Sequence, residues 1–139
     1  MNRTVMAGAL ALVSAATCVV ALAPAASAAP QACVTQSLTT GPWDSQGTVR
    51  TKSATSSCGD LNLTYSFNTT ARNYDAYAGR LRRSDGSWFT CAKRYVLAYD
   101  GYHSVNDSTY WLCTDVSDNT GFSVASLYEN GGDRVEITH

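Results

Sequence analysis

Very little of this chain has the 3.6-residue period of an amphipathic helix, and that scarcity turns the reading toward strands. Acid–base chemistry is thinly provided for. There are two histidines, His103 and His139, and two glutamates, Glu129 and Glu136. His103 falls at an expected turn exposed to solvent. His139 is the last residue and is expected to fray. Glu129 is better explained as a cross-strand partner of Arg134 than as a glycosidase acid, which needs a second carboxylate at a set distance. No catalytic motif emerges, so a non-enzymatic role is expected. No basic stripe is present either: ten Lys and Arg stand against eleven Asp and Glu. That balance excludes the phosphate-neutralising surface of a nucleic-acid binder. Arg80, Arg82 and Arg83 form the densest basic cluster and read as the polar face of one strand.

Close C-x-x-C pairs are also missing, which sets a zinc site aside. Asp115, Asp118 and Asn119 crowd one turn. An EF-hand loop starting at Asp118, however, puts Phe122 at position five and Ser123 where glycine belongs, so turn chemistry accounts for them. No metal or other cofactor is expected. The Asn-x-Ser/Thr triplets at Asn62, Asn68 and Asn106 read as ordinary strand composition.

What the sequence does have begins with residues 1–28. Arg3 supplies a positive charge, an Ala/Val/Leu run extends from Val5 to Leu22, and Ala26-Ser27-Ala28 has the small-residue form of a cleavage site. This is the order of a secretory signal peptide, and no later apolar run is long enough to span a bilayer. A single extracellular domain of residues 29–139 is expected, with no membrane partner. Cys18 leaves with the leader. Cys33, Cys58, Cys91 and Cys113 remain, an even number in a short exported chain, and read as two disulfides.

Strand signals run through the rest. Leu61, Leu63, Tyr65 and Phe67 alternate with polar residues. Tyr74 to Arg83 ends in Asp85-Gly86, a hairpin signal whose two-residue loop sets Arg83 across from Trp88. Trp88 to Tyr99 forms the longest strand candidate. A turn at Asp100-Gly101-Tyr102-His103 brings Thr109 to Val116 back alongside it, with Cys91 directly opposite Cys113. Cys33–Cys58 is then the remaining bond. A last hairpin joins Phe122–Glu129 to Arg134–Thr138. The sum is an all-β domain of six to eight antiparallel strands, a sandwich or small barrel. Residues 35–57 are rich in Ser, Thr and Gly and read as a long surface loop closed by the first disulfide.

Aromatic side chains carry the positive functional signal: three Trp, eight Tyr and three Phe. Trp43, in Gly41-Pro42-Trp43-Asp44, either lids the open end of the core or anchors a partner. Tyr99, Tyr102 and His103 form a second candidate tip. Pro30 and Gln31 belong to a short tail ahead of Cys33 that is suited to entering a partner's cleft.

In overall format the chain resembles the small exported proteins of actinomycetes. The shared features are a leader ending Ala26-Ser27-Ala28, a two-disulfide β domain and the four cysteines named above. That group includes inhibitors of proteases and amylases and the small bridging subunit of umbrella toxin particles. The amylase inhibitors carry Trp-Arg-Tyr where this chain has Pro42-Trp43-Asp44. The resemblance implies a partner that is another secreted protein, with adaptor and hydrolase inhibitor as the two roles. A carbohydrate-binding module is the alternative from a different class.

Overall fold

The computed structural model describes residues 32–139 except Ser56 and Glu129. The signal segment 1–28, the tail residues Pro30 and Gln31, and the expected Glu129–Arg134 pair therefore lie outside the described residues. Ten strands form: β1 (Thr35–Thr39), β2 (Arg50–Thr51), β3 (Leu61–Phe67), β4 (Tyr74–Arg82), β5 (Trp88–Thr90), β6 (Val96–Tyr99), β7 (Gly101–Tyr102), β8 (Trp111–Cys113), β9 (Gly121–Ser126) and β10 (Arg134–Thr138). One 3-10 turn, Ser108–Tyr110, precedes β8. The count exceeds the expected six to eight because the long candidates break into short pieces.

Two antiparallel sheets face each other. In the first, β10 lies between β1 and β3, and β7 and β8 share the far edge of β3. In the second, β9 lies between β2 and β4, and β5 and β6 share the far edge of β4. Alternation decides which side chains fill the gap. Leu61, Leu63, Val135 and Ile137 enter from the first sheet, and Tyr77, Phe122, Val124, Val96 and Ala98 from the second. The residues between them in the second sheet, including Arg80, Ser123, Leu97 and Tyr99, point away from the core.

The disulfides are Cys33–Cys58 and Cys91–Cys113, and two such bonds place the chain in an oxidising compartment. The pairing is the expected one, but the geometry behind the second bond is different. Trp88–Tyr99 and Thr109–Val116 do not pair. β5 and β6 hydrogen-bond to β4 in the second sheet, while β7 and β8 bond to β3 in the first. The Cys91–Cys113 bond thus crosses the sandwich. The residues read as a turn form a corner at which the chain changes sheets, a standard device of β-sandwiches. Gly101 has φ +128°, a value open to glycine. Asp100 holds the corner, its Oδ1 accepting from Asn68 N–H at 2.8 Å.

Three further expectations are corrected. The Asp85-Gly86 turn spans three residues, since Arg83 N–H donates to Ser87 C=O at 2.8 Å. Gly86 takes φ +87°, as in a three-residue hairpin loop with a bulge. Arg82, rather than Arg83, then pairs with Trp88, and the Arg83 guanidinium lies 4.3 Å from the Phe89 ring centre. Residues 35–57 are not one loop: β1 pairs with β10 and β2 with β9. His139 does not fray. Its backbone pairs with Val34, and its ring is fully buried edge-on to Phe122, with centroids 4.9 Å apart.

Candidate functional site

After β1 the chain leaves the first sheet and joins the second. Gly41 N–H donates to Val124 C=O and Gly41 C=O accepts from Ser126 N–H, both at 2.9 Å. Residues 42–48 then fold as a strap over the outer side of the second sheet. Its entry and exit are pressed together. A Cβ on Gly47 would stand 2.0 Å from Thr39 O, and one on Gly41 would stand 2.3 Å from the Gln46 carbonyl carbon. Only glycine fits such an approach. Small outward residues, Ala78, Ser123 and Ala125, are buried on this side of the sheet, and Ser123 Oγ accepts from Gly47 N–H at 3.0 Å.

Asp44 fastens the strap. Its Oδ1 accepts from the Thr90 hydroxyl at 2.7 Å and from Arg80 at 3.2 Å, and its N–H donates to the Tyr95 hydroxyl at 2.8 Å. Arg80 is almost wholly buried, so Asp44 also neutralises a desolvated charge. Asp44 takes φ +50°, a strained value for a residue with a side chain, and these three bonds hold it there. Burial raises the Tyr95 hydroxyl pKa, so it stays protonated.

Trp43 stands next to that anchor and is 62% exposed. It does not lid the core. Its indole is displayed from a braced loop on the outer side of the second sheet. Tyr99 lies on the same side of the sheet. Its ring packs 5.7 Å from Tyr74, which meets Tyr128 edge-on at 6.1 Å, and Arg72 stands 5.6 Å from the Tyr128 ring centre. Leu97 is exposed beside Tyr99 on β6. Trp43, Leu97, Tyr99 and Tyr128 therefore make one face.

Tyr102 and His103 do not join this face. Past the corner they belong to the first sheet. Tyr102 is 83% exposed and packs on Tyr65 with centroids 4.9 Å apart. His103 stacks on Tyr110 at 4.1 Å, and its Nε2 is 3.0 Å from Ser66 Oγ. Burial depresses the imidazole pKa, partly offset by Asp107. The Ser66 hydroxyl donates to Tyr99 C=O at 3.0 Å, so the imidazole is the donor toward Ser66 and withdraws no proton from it. The second Ser–His contact behaves alike. Ser53 Oγ donates to His139 C=O at 2.6 Å, while His139 Nδ1 accepts from Ser53 N–H at 2.9 Å. Both arrangements lock backbone rather than prepare a nucleophile.

Two members of the face, Leu97 and Tyr128, were not singled out in the sequence, nor was Tyr74, whose ring packs against Tyr99 and Tyr128. The signal was present in Val96-Leu97-Ala98-Tyr99, whose period of two separates inward from outward residues. Both sets are apolar, so alternation alone does not say which one faces water. Among the described residues no group of three or more His, Cys, Asp and Glu converges as a metal site. Asn62 and Asn68 are buried, with their amides donating to Thr138 C=O and Tyr74 C=O.

No family model, no curated protein and no solved structure matches the chain.

Proposed function

We propose that this chain is a secreted, non-enzymatic domain that binds another extracellular protein through the outer face of its second sheet. Its role would be that of an adaptor in an extracellular assembly of the umbrella-toxin kind. The observation that carries this reading is Trp43, a large exposed aromatic on a strap whose neighbouring residue makes three hydrogen bonds to the body of the domain. Such a side chain buries apolar area on docking and loses little freedom in doing so. The leader at residues 1–28 and the two disulfides agree with work outside the cell.

The same braced loop suits the second protein-binding role, that of an inhibitor that fills a hydrolase cleft with Trp43. A polysaccharide platform finds less support. Tyr74 is tilted by 55° to Tyr99 and by 81° to Tyr128, so these rings do not form the flat strip a sugar chain stacks on.

The test is capture of partners from the culture supernatant by tagged wild-type protein and by a Trp43→Ala variant with unchanged thermal stability. Larger exported proteins co-eluting with the wild type in fixed ratio, and lost with Trp43→Ala, are expected. Partners retained equally by both proteins, or none in either, would overturn the proposal. An inhibitor would instead slow a named hydrolase at one-to-one stoichiometry.

A further inference from the structure

Beyond the strap, the second sheet ends in a groove of about 520 Å3 between the β4–β5 hairpin and the 118–120 turn. Arg82 and Arg83 line one wall, and Val49, Thr51, Asp118 and Thr120 line the other. Gly121 contributes no side chain: a Cβ there would stand 3.3 Å from Arg82 Cβ and 3.5 Å from its Cδ. The Arg82 arm is thereby laid across the β9 backbone. Arg83 is steadied on the Phe89 ring and donates to Ser87 Oγ at 3.4 Å.

The charges around this groove are unevenly committed. Asp118 lies 3.7 Å from the Lys52 ammonium, which is otherwise buried. Asp85 is turned into its own hairpin loop, accepting from Ser87 N–H at 2.8 Å and from its hydroxyl at 2.7 Å. Among the described residues neither Arg82 nor Arg83 forms an ion pair. Arg82 and Arg83 thus border an open groove in which Asp118, half-exposed and leaning on Lys52, is the one carboxylate among the lining residues, so positive charge prevails there. Val49, an exposed apolar residue, stands across from them.

We infer that this groove receives an acidic segment of the partner protein, with a carboxylate against Arg82 and Arg83 and an apolar side chain against Val49. Guanidinium forks match carboxylates in geometry as well as in charge. Two such groups beside an apolar wall suit a peptide, whereas a nucleic acid needs a longer basic track. The inference rests on the docking-face proposal, since the groove continues that same outer face past the strap.

The experiment is titration of hexaglutamate into the isotope-labelled domain at low salt, followed by NMR, with hexalysine and inorganic phosphate as comparisons. Shifts at Gly86, Gly121 and the two arginine side chains are expected with hexaglutamate. They should weaken several-fold between 50 and 200 mM salt, and apparent affinity should fall about tenfold in Arg82→Gln/Arg83→Gln. Trp43→Ala should leave this titration unchanged. The groove and the docking face can thus fail separately: loss of partner capture sensitivity to Trp43 sinks the face, while the titration judges the groove. No shift with hexaglutamate, a shift that persists in the double variant, or equal saturation by phosphate would overturn the inference.

Discussion

Asp75 is a fully buried carboxyl group with an unusual set of partners. Its Oδ1 accepts from the backbone N–H groups of Ala76, Leu127 and Tyr128, while its Oδ2 has no donor among the described residues. Asp133 is buried beside it and accepts from the Tyr77 hydroxyl at 3.1 Å. Burial, reinforced by the Asp133 charge, raises the Asp75 pKa. The same two influences raise that of Tyr77. Because the folded chain holds the Asp75 proton more tightly, the unfolded chain releases it first as pH rises from about 3.8, and this group's contribution to stability falls from there until the folded carboxyl ionises. Asp75→Asn removes that loss. Its stability advantage over wild type should grow with pH when melting is followed by calorimetry from pH 4 to 8, and a constant difference would contradict the argument. His139 works in the opposite sense. Burial, then the Lys52 charge, depresses its pKa, so stability declines as pH falls below about 6.5. His139→Asn keeps an acceptor near Ser53 N–H but cannot take up the proton. It should flatten the acid limb of urea-derived stability while costing about 1–2 kcal/mol of packing against Phe122. None of this was legible in the sequence, where a lone Asp or a terminal His has the signature of a solvated residue.

At the scale of elements, the strap and the corner decide what the surface displays. Asp44→Ala leaves the Arg80 charge buried without its partner and should cost about 1–3 kcal/mol, reduced because Asp44 itself is half exposed. Denaturant unfolding measures the cost, and a gain in Trp43 mobility in fluorescence anisotropy should accompany it. Gly79→Ala tests the inner side of the same sheet. A Cβ there would stand 2.2 Å from Cys113 Sγ, so the crossing disulfide and an alanine cannot coexist without displacement of β4 or β8. A sharp loss of melting temperature is expected, and a melting temperature within a degree of wild type would contradict that reading. Arg134–Thr138 was legible in its strand and its faces, whereas Leu61–Phe67 was legible only as a strand: an irregularity after Leu63 buries Ser66 opposite Val135 and leaves Phe67 exposed. The corner was not. Asp100-Gly101 carries the same residues as a hairpin turn, and a chain that changes sheets differs from one that reverses only in what lies beside it. The bond between Cys91 and Cys113 was therefore anticipated from a register that the fold does not use.

For the whole molecule, all-β class and disulfide bracing follow from composition, cysteine parity and alternation, but the division into two sheets depends on pairings between distant residues. The two disulfides close loops with sequence separations of 25 and 22 residues. Loop-closure entropy gives each about 3 kcal/mol. A Cys91→Ala/Cys113→Ala variant should thus lose about that much in denaturant midpoint measurements, more if the gap left between the sheets does not close. The place of β10 has a consequence in time. It is the strand between β1 and β3, and it pairs Thr138 with Thr35, 103 positions earlier. Until that segment docks, β1 has no partner in the first sheet and β3 pairs only with the short strands β7 and β8. Folding dominated by such distant pairings runs in milliseconds to seconds. The first sheet therefore closes over the core as a late, single event, when β10 docks between β1 and β3.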